Sequence, residues 1–208
     1  EFRTRYGIDV SSFQGEIDWD AVADDNIDFA MVRVGFRGTG TGSLNTDKYY
    51  EQNIRGAMRA GLETGVYFFA QAVTVEEAIE EADYVISLLD GLDIDGPIAY
   101  DWEMHDSTYR VYGTTPEMAT ACAVAFCERI KEAGYTPMVY GGTYVSYMKY
   151  DQGALSKYLS WYPEYKSAKS EKLCPSLIYH MDYWQFSSTR AVAGISGRVD
   201  MNIQFVRR

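Results

Sequence analysis

The sequence has few side chains that could form disulfides or bind a metal ion. It contains only three cysteines and two histidines among 208 residues. Cys122 and Cys127 lie five positions apart on one predicted helix, which places them on different faces, so we expect thiols rather than a disulfide. His105 and His180 belong to no cluster with the spacing of zinc ligands. The sequence therefore predicts no disulfide framework, no metal and no other cofactor.

Positive charge and long apolar segments are also scarce. The formal net charge is −11, whereas binding to nucleic acid or to an anionic membrane surface requires clustered lysine and arginine. No stretch approaches the ~20 apolar residues that a membrane-spanning helix needs. With 47% apolar residues, the chain can nevertheless form a substantial core. We therefore expect no nucleic-acid partner and no membrane insertion, and we expect the chain to act as a monomer.

The start of the chain lacks the pattern of a signal peptide. Residues Glu1 to Thr4 are interpreted as the remnant of a linker. No linker-like composition interrupts the remainder, and a length of 208 residues suits a single core. The sequence therefore predicts one domain over residues 1–208.

Short apolar runs alternate with amphipathic helical patterns before Tyr150. Such βα repeats imply parallel strands joined by right-handed crossovers. After Tyr150, three more strand-like runs follow without clear helices between them. The predicted strands are residues 6–10, 29–35, 66–70, 98–102, 137–140, 159–162, 179–186 and 199–206, and the predicted helices begin at Asp18, Tyr50, Val75 and Thr115. Five βα units and three further strands favour a closed α/β barrel, in which active residues lie at the carboxyl ends of the strands.

Local signals mark the ends of several predicted helices. Gly61 and Gly134 follow two helical patterns and are expected to form C-terminal caps. Pro116 occupies a first helical turn, where proline is well tolerated. Thr74 and Glu77 have the spacing of a capping box at the start of the clearest helix.

Four acidic residues fall where such a barrel would place active groups. Asp9 ends the first predicted strand, Asp101 and Glu103 end the fourth, and Asp200 lies in or just before the last. Residues i and i+2 of a strand share a face, so Asp101 and Glu103 should project together into the barrel mouth while Trp102 turns away. Two carboxylates at close range cannot both ionise freely, so one pKa should rise. A protonated acid beside an ionised partner is what glycoside cleavage requires.

An Asp-x-Glu spacing alone is weak support for a site, because chance matches are common in a chain with 30 acidic residues. Its position favours a site, since the apolar run Pro97–Tyr100 precedes it and Asp9 also ends an apolar run. In addition, the chain contains no Gly-x-Ser-x-Gly elbow, phosphate loop or dinucleotide fingerprint that would supply a rival centre.

Other side chains near the predicted strand ends are candidates for binding substrate. Aromatic rings there could stack on sugar rings or simply pack in the core, and the sequence does not choose between these alternatives. Arg33 lies inside an apolar strand, where a lone charge must find a partner, so it should pair with Asp9 or contact substrate. His105 is interpreted as a surface residue, and Gln71 is a weaker candidate. The substrate-binding candidates are Arg33, Tyr67, Phe69, Tyr140, Trp161 and Gln185.

Four short segments occur in order along nearly the whole chain: Tyr6–Gly15, Tyr100–Glu103, Trp184–Ser188 and Gly194–Asn202. Together they resemble the motifs of glycoside hydrolase family 25, the N-acetylmuramidase lysozymes. The resemblance implies a modified TIM-like barrel, (β/α)5 followed by three β-strands, acting as a single catalytic domain. It implies hydrolysis of the β-1,4 bond between N-acetylmuramic acid and N-acetylglucosamine in peptidoglycan. Peptidoglycan glycan strands would then be the partner, and the location would be extracellular or in the cell wall.

The same resemblance implies roles for the four acids. Glu103 matches the general acid, Asp101 matches the second catalytic carboxylate, and Asp9 and Asp200 match supporting acids. The route after proton transfer stays open between retention, inversion and attack by the substrate's own N-acetyl carbonyl. We favour the last route slightly, with Asp101 orienting the amide and Tyr140 hydrogen-bonded to it.

Two other interpretations each explain part of the sequence. The run Asp90–Asp95 resembles part of the acidic signature of chitinase-like enzymes of family 18, but Pro97 stands where that signature needs Glu. The second alternative is a non-catalytic peptidoglycan-binding module, against which the presence of all four acids argues.

Overall fold

The computed structural model describes residues 2–166 and 174–207. Its strands are Phe2–Val10 (β1), Phe29–Arg37 (β2), Leu44–Thr46 (β3), Glu63–Ala70 (β4), Ile98–Trp102 (β5), Pro137–Tyr140 (β6), Leu159–Pro163 (β7), Tyr183–Arg190 (β8) and Val199–Arg207 (β9). Its helices are Trp19–Asp24 (α1), Tyr50–Arg59 (α2), Val75–Leu88 (α3), Pro116–Glu132 (α4), Thr143–Met148 (α5) and Gln152–Leu155 (α6). In the part of the chain so described, no helix has the length and apolar character needed to cross a membrane.

Eight of the strands form a closed barrel. They pair in the order β1–β9–β8–β7–β6–β5–β4–β2–β3, and β1 also pairs with β2, which closes the ring and leaves β3 outside it. The ladders from β1 through β2, β4, β5, β6 and β7 to β8 are all parallel, whereas β9 is antiparallel to both β8 and β1. The predicted barrel of five βα units followed by three strands is therefore confirmed.

Apolar side chains pack on both sides of the barrel wall. The larger cluster joins strand residues such as Ile8 and Phe68 to helix residues such as Val85 and Phe126, so it lies between the sheet and the helices. A smaller cluster consists of strand residues alone, which places it inside the barrel, beneath the carboxyl ends of the strands. Its buried members are Phe29, Met31, Ala99, Met138, Tyr140, Trp161 and Tyr183. The alternation of side chains along each strand produces these two layers.

The predicted helix ends are confirmed with one correction. Gly61 and Gly134 have φ angles of +81° and +91°, the left-handed conformation that glycine adopts at a C-terminal cap. The Thr74 hydroxyl accepts a hydrogen bond from the Glu77 backbone N–H at 3.3 Å. However, the Glu77 carboxylate accepts from the Val73 N–H and pairs with Arg110, so only half of the predicted capping box forms.

The two ends of the described chain differ most from the prediction. Residues 2–4, interpreted from the sequence as part of a linker remnant, belong to β1 and pair with residues 205–207 of β9. Strand β8 begins at Tyr183 rather than Tyr179, and the residues just before it form side-chain contacts instead. The Asp182 carboxylate accepts a hydrogen bond from the Ser160 backbone N–H and lies 2.9 Å from His180 Nε2. The short strand β3 and the helices α5 and α6 were not predicted, and each is six residues long or shorter. The three cysteines are free thiols, as predicted from their spacing.

Candidate active site

A cavity of about 250 Å³ opens at the carboxyl ends of the barrel strands. It contains all four acids singled out in the sequence, together with aromatic and amide side chains from the facing strands. The residues that line it are Asp9, Tyr67, Asp101, Glu103, Tyr140, Trp161, Tyr165, Gln185 and Asp200. The barrel thus brings together residues that are up to 191 positions apart in the sequence, from Asp9 to Asp200.

Asp9 and Asp200 enter the cavity from neighbouring strands. They are directly opposite each other in the antiparallel pairing of β1 with β9, so both side chains point to the same face of the sheet. The Asp9 Oδ2 atom accepts hydrogen bonds from Gln185 Nε2 at 2.9 Å and from Asn202 Nδ2 at 2.8 Å. These two amide groups fix the orientation of the buried Asp9 carboxylate.

Asp101 and Glu103 enter the cavity from the end of β5. Trp102, between them, is fully buried on the other face, where its indole N–H donates to the Ala72 carbonyl at 3.1 Å. Asp101 is buried, and its Oδ1 atom has no hydrogen-bond partner among the described residues. Glu103 lies one residue beyond the strand, and its side chain is 22% exposed. Of this pair, Glu103 is therefore the carboxyl group that faces solvent.

A second cavity of about 390 Å³ adjoins the first on the far side of Glu103. Glu103, Tyr140 and Tyr165 line both cavities. His105 lines only the second one, where its Nε2 atom lies 2.8 Å from Glu103 Oε2. The two cavities thus meet at Glu103, Tyr140 and Tyr165, and together they are called the groove.

Three rings line the floor of the acid cavity. Trp161 packs edge-on against both Tyr67 and Tyr140, with centroid separations of 5.9 Å and 4.9 Å. The Trp161 indole N–H donates to Asn202 Oδ1 at 2.8 Å, and the Tyr140 hydroxyl donates to Gln185 Oε1 at 3.1 Å. These rings are both core residues and cavity residues, which explains why the sequence could not choose between the two roles.

Arg33 and Phe69 occupy different places from the other candidates. Arg33 donates through Nε and Nη2 to Asp47 Oδ2 at 2.9 Å and 2.8 Å, so its partner is Asp47 rather than Asp9. The other alternative, contact with substrate, stays a prediction. Asp47 follows the unpredicted strand β3 and supplies the partner that a largely buried guanidinium requires. Phe69 is half-buried beside Asp101 in the β4–β5 ladder and is not among the residues that line either cavity.

In residues 2–166 and 174–207, no group of three or more His, Cys, Asp or Glu side chains is arranged to hold a metal ion. The arrangement instead offers four carboxyl groups in a groove lined by aromatic rings. One of them, Asp9, accepts hydrogen bonds from two amides, and another, Glu103, lies beside the His105 imidazole. Paired carboxyl groups in such a groove are the arrangement that glycoside cleavage uses.

The family model described as glycosyl hydrolases family 25 matches residues 8–195 of the chain. This chain belongs to that family.

Relatives of this family 25 domain carry lysozyme and autolysin names. The chain is 26% identical to the autolytic lysozyme of Clostridium acetobutylicum, with 94% of the chain and 54% of that protein covered. It is 29% identical to lysozyme M1 of Streptomyces globisporus, with 94% of the chain and 66% of that protein covered. The chain thus spans less than two thirds of either relative.

Solved structures of the family share the fold. The modular autolysin LytC from Streptococcus pneumoniae, in complex with a synthetic peptidoglycan ligand, matches with a TM-score of 0.79 at 26% identity. That match covers 98% of this chain and 47% of LytC.

Burial raises the pKa values of three acids in the family 25 domain. The pKa of Asp9 rises to about 7, because the group is buried and because Asp200 is charged nearby, although two accepted hydrogen bonds oppose the rise. The pKa of Asp200 rises to about 6, through burial and the charge of Glu103. Burial, followed by the charges of Glu103 and Asp9, raises the pKa of Asp101 well above its usual range. The cavity therefore retains protons near neutral pH.

An Asp9→Asn variant is expected to be more stable than the wild type at pH 8 but not at pH 4. Because the pKa of Asp9 is about 7 in the folded state and near 3.8 when unfolded, ionisation costs the wild type stability as pH rises between these values. The asparagine variant lacks this cost, which is on the order of a few kcal/mol. Thermal unfolding at both pH values measures the difference, with exposed Asp93→Asn as the control. A melting-temperature difference that does not change with pH would contradict the raised pKa.

Several residues of the site were missed or undervalued in the sequence. Asn202 stands two positions after Asp200 on β9. Because residues i and i+2 of a strand lie on one face, Asn202 could have been predicted to point into the site beside Asp200. His105 is 64% exposed, as predicted for a surface residue, but its contact with Glu103 was not foreseen. Tyr165, whose hydroxyl donates to Gln185 Oε1 at 2.8 Å, follows β7 and was not among the predicted candidates.

The acidic run Asp90–Asp95 lies far from this site. It precedes β5, whereas the acid cavity lies at the carboxyl end of that strand. Asp95 accepts a hydrogen bond from the Thr64 backbone N–H at 2.7 Å, so it has a structural role at the opposite end of the barrel. The placement disfavours the chitinase-like alternative.

Proposed function

We propose that this domain hydrolyses the β-1,4 bond between N-acetylmuramic acid and N-acetylglucosamine in peptidoglycan, with Glu103 as the general acid and Asp101 as the second carboxylate. The observation that carries the assignment of Glu103 is its position where the two cavities meet. A glycan strand lying along the groove would place one sugar in each cavity and the bond between them over the Glu103 carboxyl group.

The choice of peptidoglycan as substrate rests on the relatives. Two of them are named lysozymes, and LytC was solved with a synthetic peptidoglycan ligand. A groove lined by tyrosine rings suits a glycan, because such rings offer an apolar face and a polar tip. Peptidoglycan glycan strands would therefore be the partner of this domain, and its place of action would be outside the cell or in the cell wall.

In the proposed reaction, the proton of Glu103 passes to the glycosidic oxygen as the bond from that oxygen to the sugar C1 breaks. The carbonyl oxygen of the substrate's N-acetyl group attacks C1 from the opposite face, and water then displaces it while returning a proton to Glu103. Asp101 would orient the amide, since its Oδ1 atom is buried in the cavity without a protein partner among the described residues. Tyr140 lines both cavities and can accept a hydrogen bond from the substrate while it donates to Gln185.

Digestion of purified peptidoglycan is expected to release fragments that end in reducing N-acetylmuramic acid. Reduction with borohydride followed by mass spectrometry identifies the sugar at the new reducing end, because the lactyl ether distinguishes muramic acid from glucosamine. Fragments ending in reducing N-acetylglucosamine would show that the other bond is cleaved and would exclude the proposed activity. A digest in which bonds are broken only within the peptide stems would exclude glycosidase activity altogether.

A further inference from the structure

The turn between β4 and α3 lies outside the cavity and forms hydrogen bonds with Trp102 and Glu103, here called the catalytic segment. Gln71 is fully buried, and its side-chain Nε2 donates a hydrogen bond to the backbone carbonyl of Glu103 at 2.7 Å. The next residue, Ala72, accepts from the Trp102 indole N–H through its carbonyl at 3.1 Å. Two consecutive residues of the turn thus hold two consecutive residues of the catalytic segment.

Glu103 needs such support because the sheet does not supply it. Strand β5 ends at Trp102, and its ladders with β4 and β6 reach only Trp102 and Asp101, respectively. The residue that carries the proposed acid is therefore the first one beyond the hydrogen-bonded sheet. Its side chain is held by His105, whose imidazole is itself 64% exposed. The Glu103 backbone, in contrast, is held by a hydrogen bond from the buried Gln71 side chain.

Gln71 is itself fixed by charged groups that lie away from the cavity. Its backbone N–H donates to Glu81 Oε1 at 3.0 Å, and the same oxygen accepts from Arg37 Nε at 2.7 Å. Its carbonyl accepts a hydrogen bond from Arg110 Nη1 at 2.8 Å, and Arg110 is paired with Glu77 through its Nη1 and Nη2 atoms. Both backbone polar groups of Gln71 are thus hydrogen-bonded, the N–H to α3 and the carbonyl to the segment before α4, and a residue of β2 pairs with the same α3 carboxylate.

We propose that Gln71 is the positioning residue of the general acid. The buried Arg37–Glu81 pair and the partly exposed Arg110–Glu77 pair hold the Gln71 backbone, and the Gln71 side chain in turn holds the Glu103 backbone and so fixes where the Glu103 carboxyl group lies. The inference rests on the proposed function, because it assumes that Glu103 donates the proton. Gln71 does not line either cavity, so it acts through Glu103 rather than on the substrate.

A Gln71→Met variant keeps the length of the side chain and removes the donor. A catalytic group displaced by about 1 Å can lose on the order of a hundredfold in rate, so we expect kcat to fall by about 10- to 100-fold. KM should change by less than about twofold, because the cavity lining is intact. Release of reducing ends from peptidoglycan measures both constants, and Gln52→Met, which makes the same change at an exposed site on α2, should match the wild type.

A Gln71→Glu variant tests the hydrogen bond itself. A protonated carboxyl group can donate to the Glu103 carbonyl, whereas an ionised one cannot, and burial raises the pKa of such a group. The ratio of its kcat to that of the wild type is therefore expected to fall at least about tenfold as pH rises, while the ratio for Gln71→Met stays constant. A purely structural role would lower both ratios equally at every pH.

The outcomes separate this inference from the proposed function. If the wild type releases no reducing ends, the proposed function fails. Two results with an active wild type would refute the positioning role while the function stands. The first is a kcat of Gln71→Met equal to that of the wild type. The second is a kcat relative to the wild type that is the same for both variants and does not change with pH. Should Gln71→Met fail to fold, the ratio measured for Gln71→Glu decides alone, with melting temperatures recorded for every variant.

Discussion

A Glu103→Gln variant is expected to retain its fold and to lose about 10²- to 10⁴-fold in kcat, the range that general acid catalysis contributes. Glutamine has the shape of glutamate but no proton to donate to the glycosidic oxygen. The change should cost little stability, because the contact with His105 is with an imidazole that is 64% exposed, and exposed pairs contribute about 0–1 kcal/mol. Clearing of a cell-wall suspension and release of reducing ends both measure the loss.

Glu76→Gln provides a matched control for this prediction. Glu76 is exposed on α3, so the same chemical change there alters the net charge equally and should leave kcat unchanged. Retained binding of Glu103→Gln to insoluble peptidoglycan would show that the groove is intact and that only the chemistry is lost. If wild type and Glu103→Gln both bind without clearing, the domain is a binding module and the assignment of Glu103 as general acid is wrong.

The architecture of the barrel could be predicted from the sequence because its signals are local. Strands β5 and β6 were predicted at both ends, since each is a short apolar run that follows a glycine turn or a proline. Strand β8 was predicted to begin too early, because Tyr179 has strand propensity while the pairing with β7 and β9 begins at Tyr183. Propensity describes the residue, whereas the start of a ladder depends on which partner strand supplies hydrogen bonds.

Three of the four acids of the candidate site could be predicted because one geometric rule governs them. A parallel barrel gathers the carboxyl ends of its strands at one mouth, which places Asp9, Asp101 and Glu103 there. Asp200 lies instead at the amino end of β9, and it reaches the same mouth because this strand is antiparallel to both neighbours. The rule does not predict which residues form ion pairs or hydrogen bonds around the site. Arg33 could not be assigned to Asp47, because β3 is three residues long and leaves no periodic pattern. The bond from Gln71 to Glu103 joins a turn to the residue after a strand, and neither position has a sequence signature.

The raised pKa of Asp101 bears on the route that follows proton transfer. A carboxylate that attacks the sugar must be ionised, yet burial and the neighbouring charges of Glu103 and Asp9 oppose ionisation of Asp101. A nucleophile that carries no charge avoids this difficulty, and the N-acetyl carbonyl of the substrate is such a group. A protonated Asp101 can still accept a hydrogen bond from the amide N–H through its buried Oδ1 atom, and it can so orient the amide for attack.

Peptidoglycan that has lost the N-acetyl groups of its muramic acid residues is therefore expected to be cleaved at least about a hundredfold more slowly than intact peptidoglycan. Intramolecular nucleophiles have effective molarities on the order of 10⁵ M or more, so their removal leaves only slow attack by water. Chemical re-acetylation of the same preparation should restore the rate, which controls for damage to the glycan. Mass spectrometry of the protein during turnover should detect no sugar ester on Asp101. An ester trapped there would instead make Asp101 the nucleophile, and its carboxyl group would then have to ionise when the substrate binds. Equal rates before and after re-acetylation would also exclude the N-acetyl route, and without an ester they would favour inversion by water.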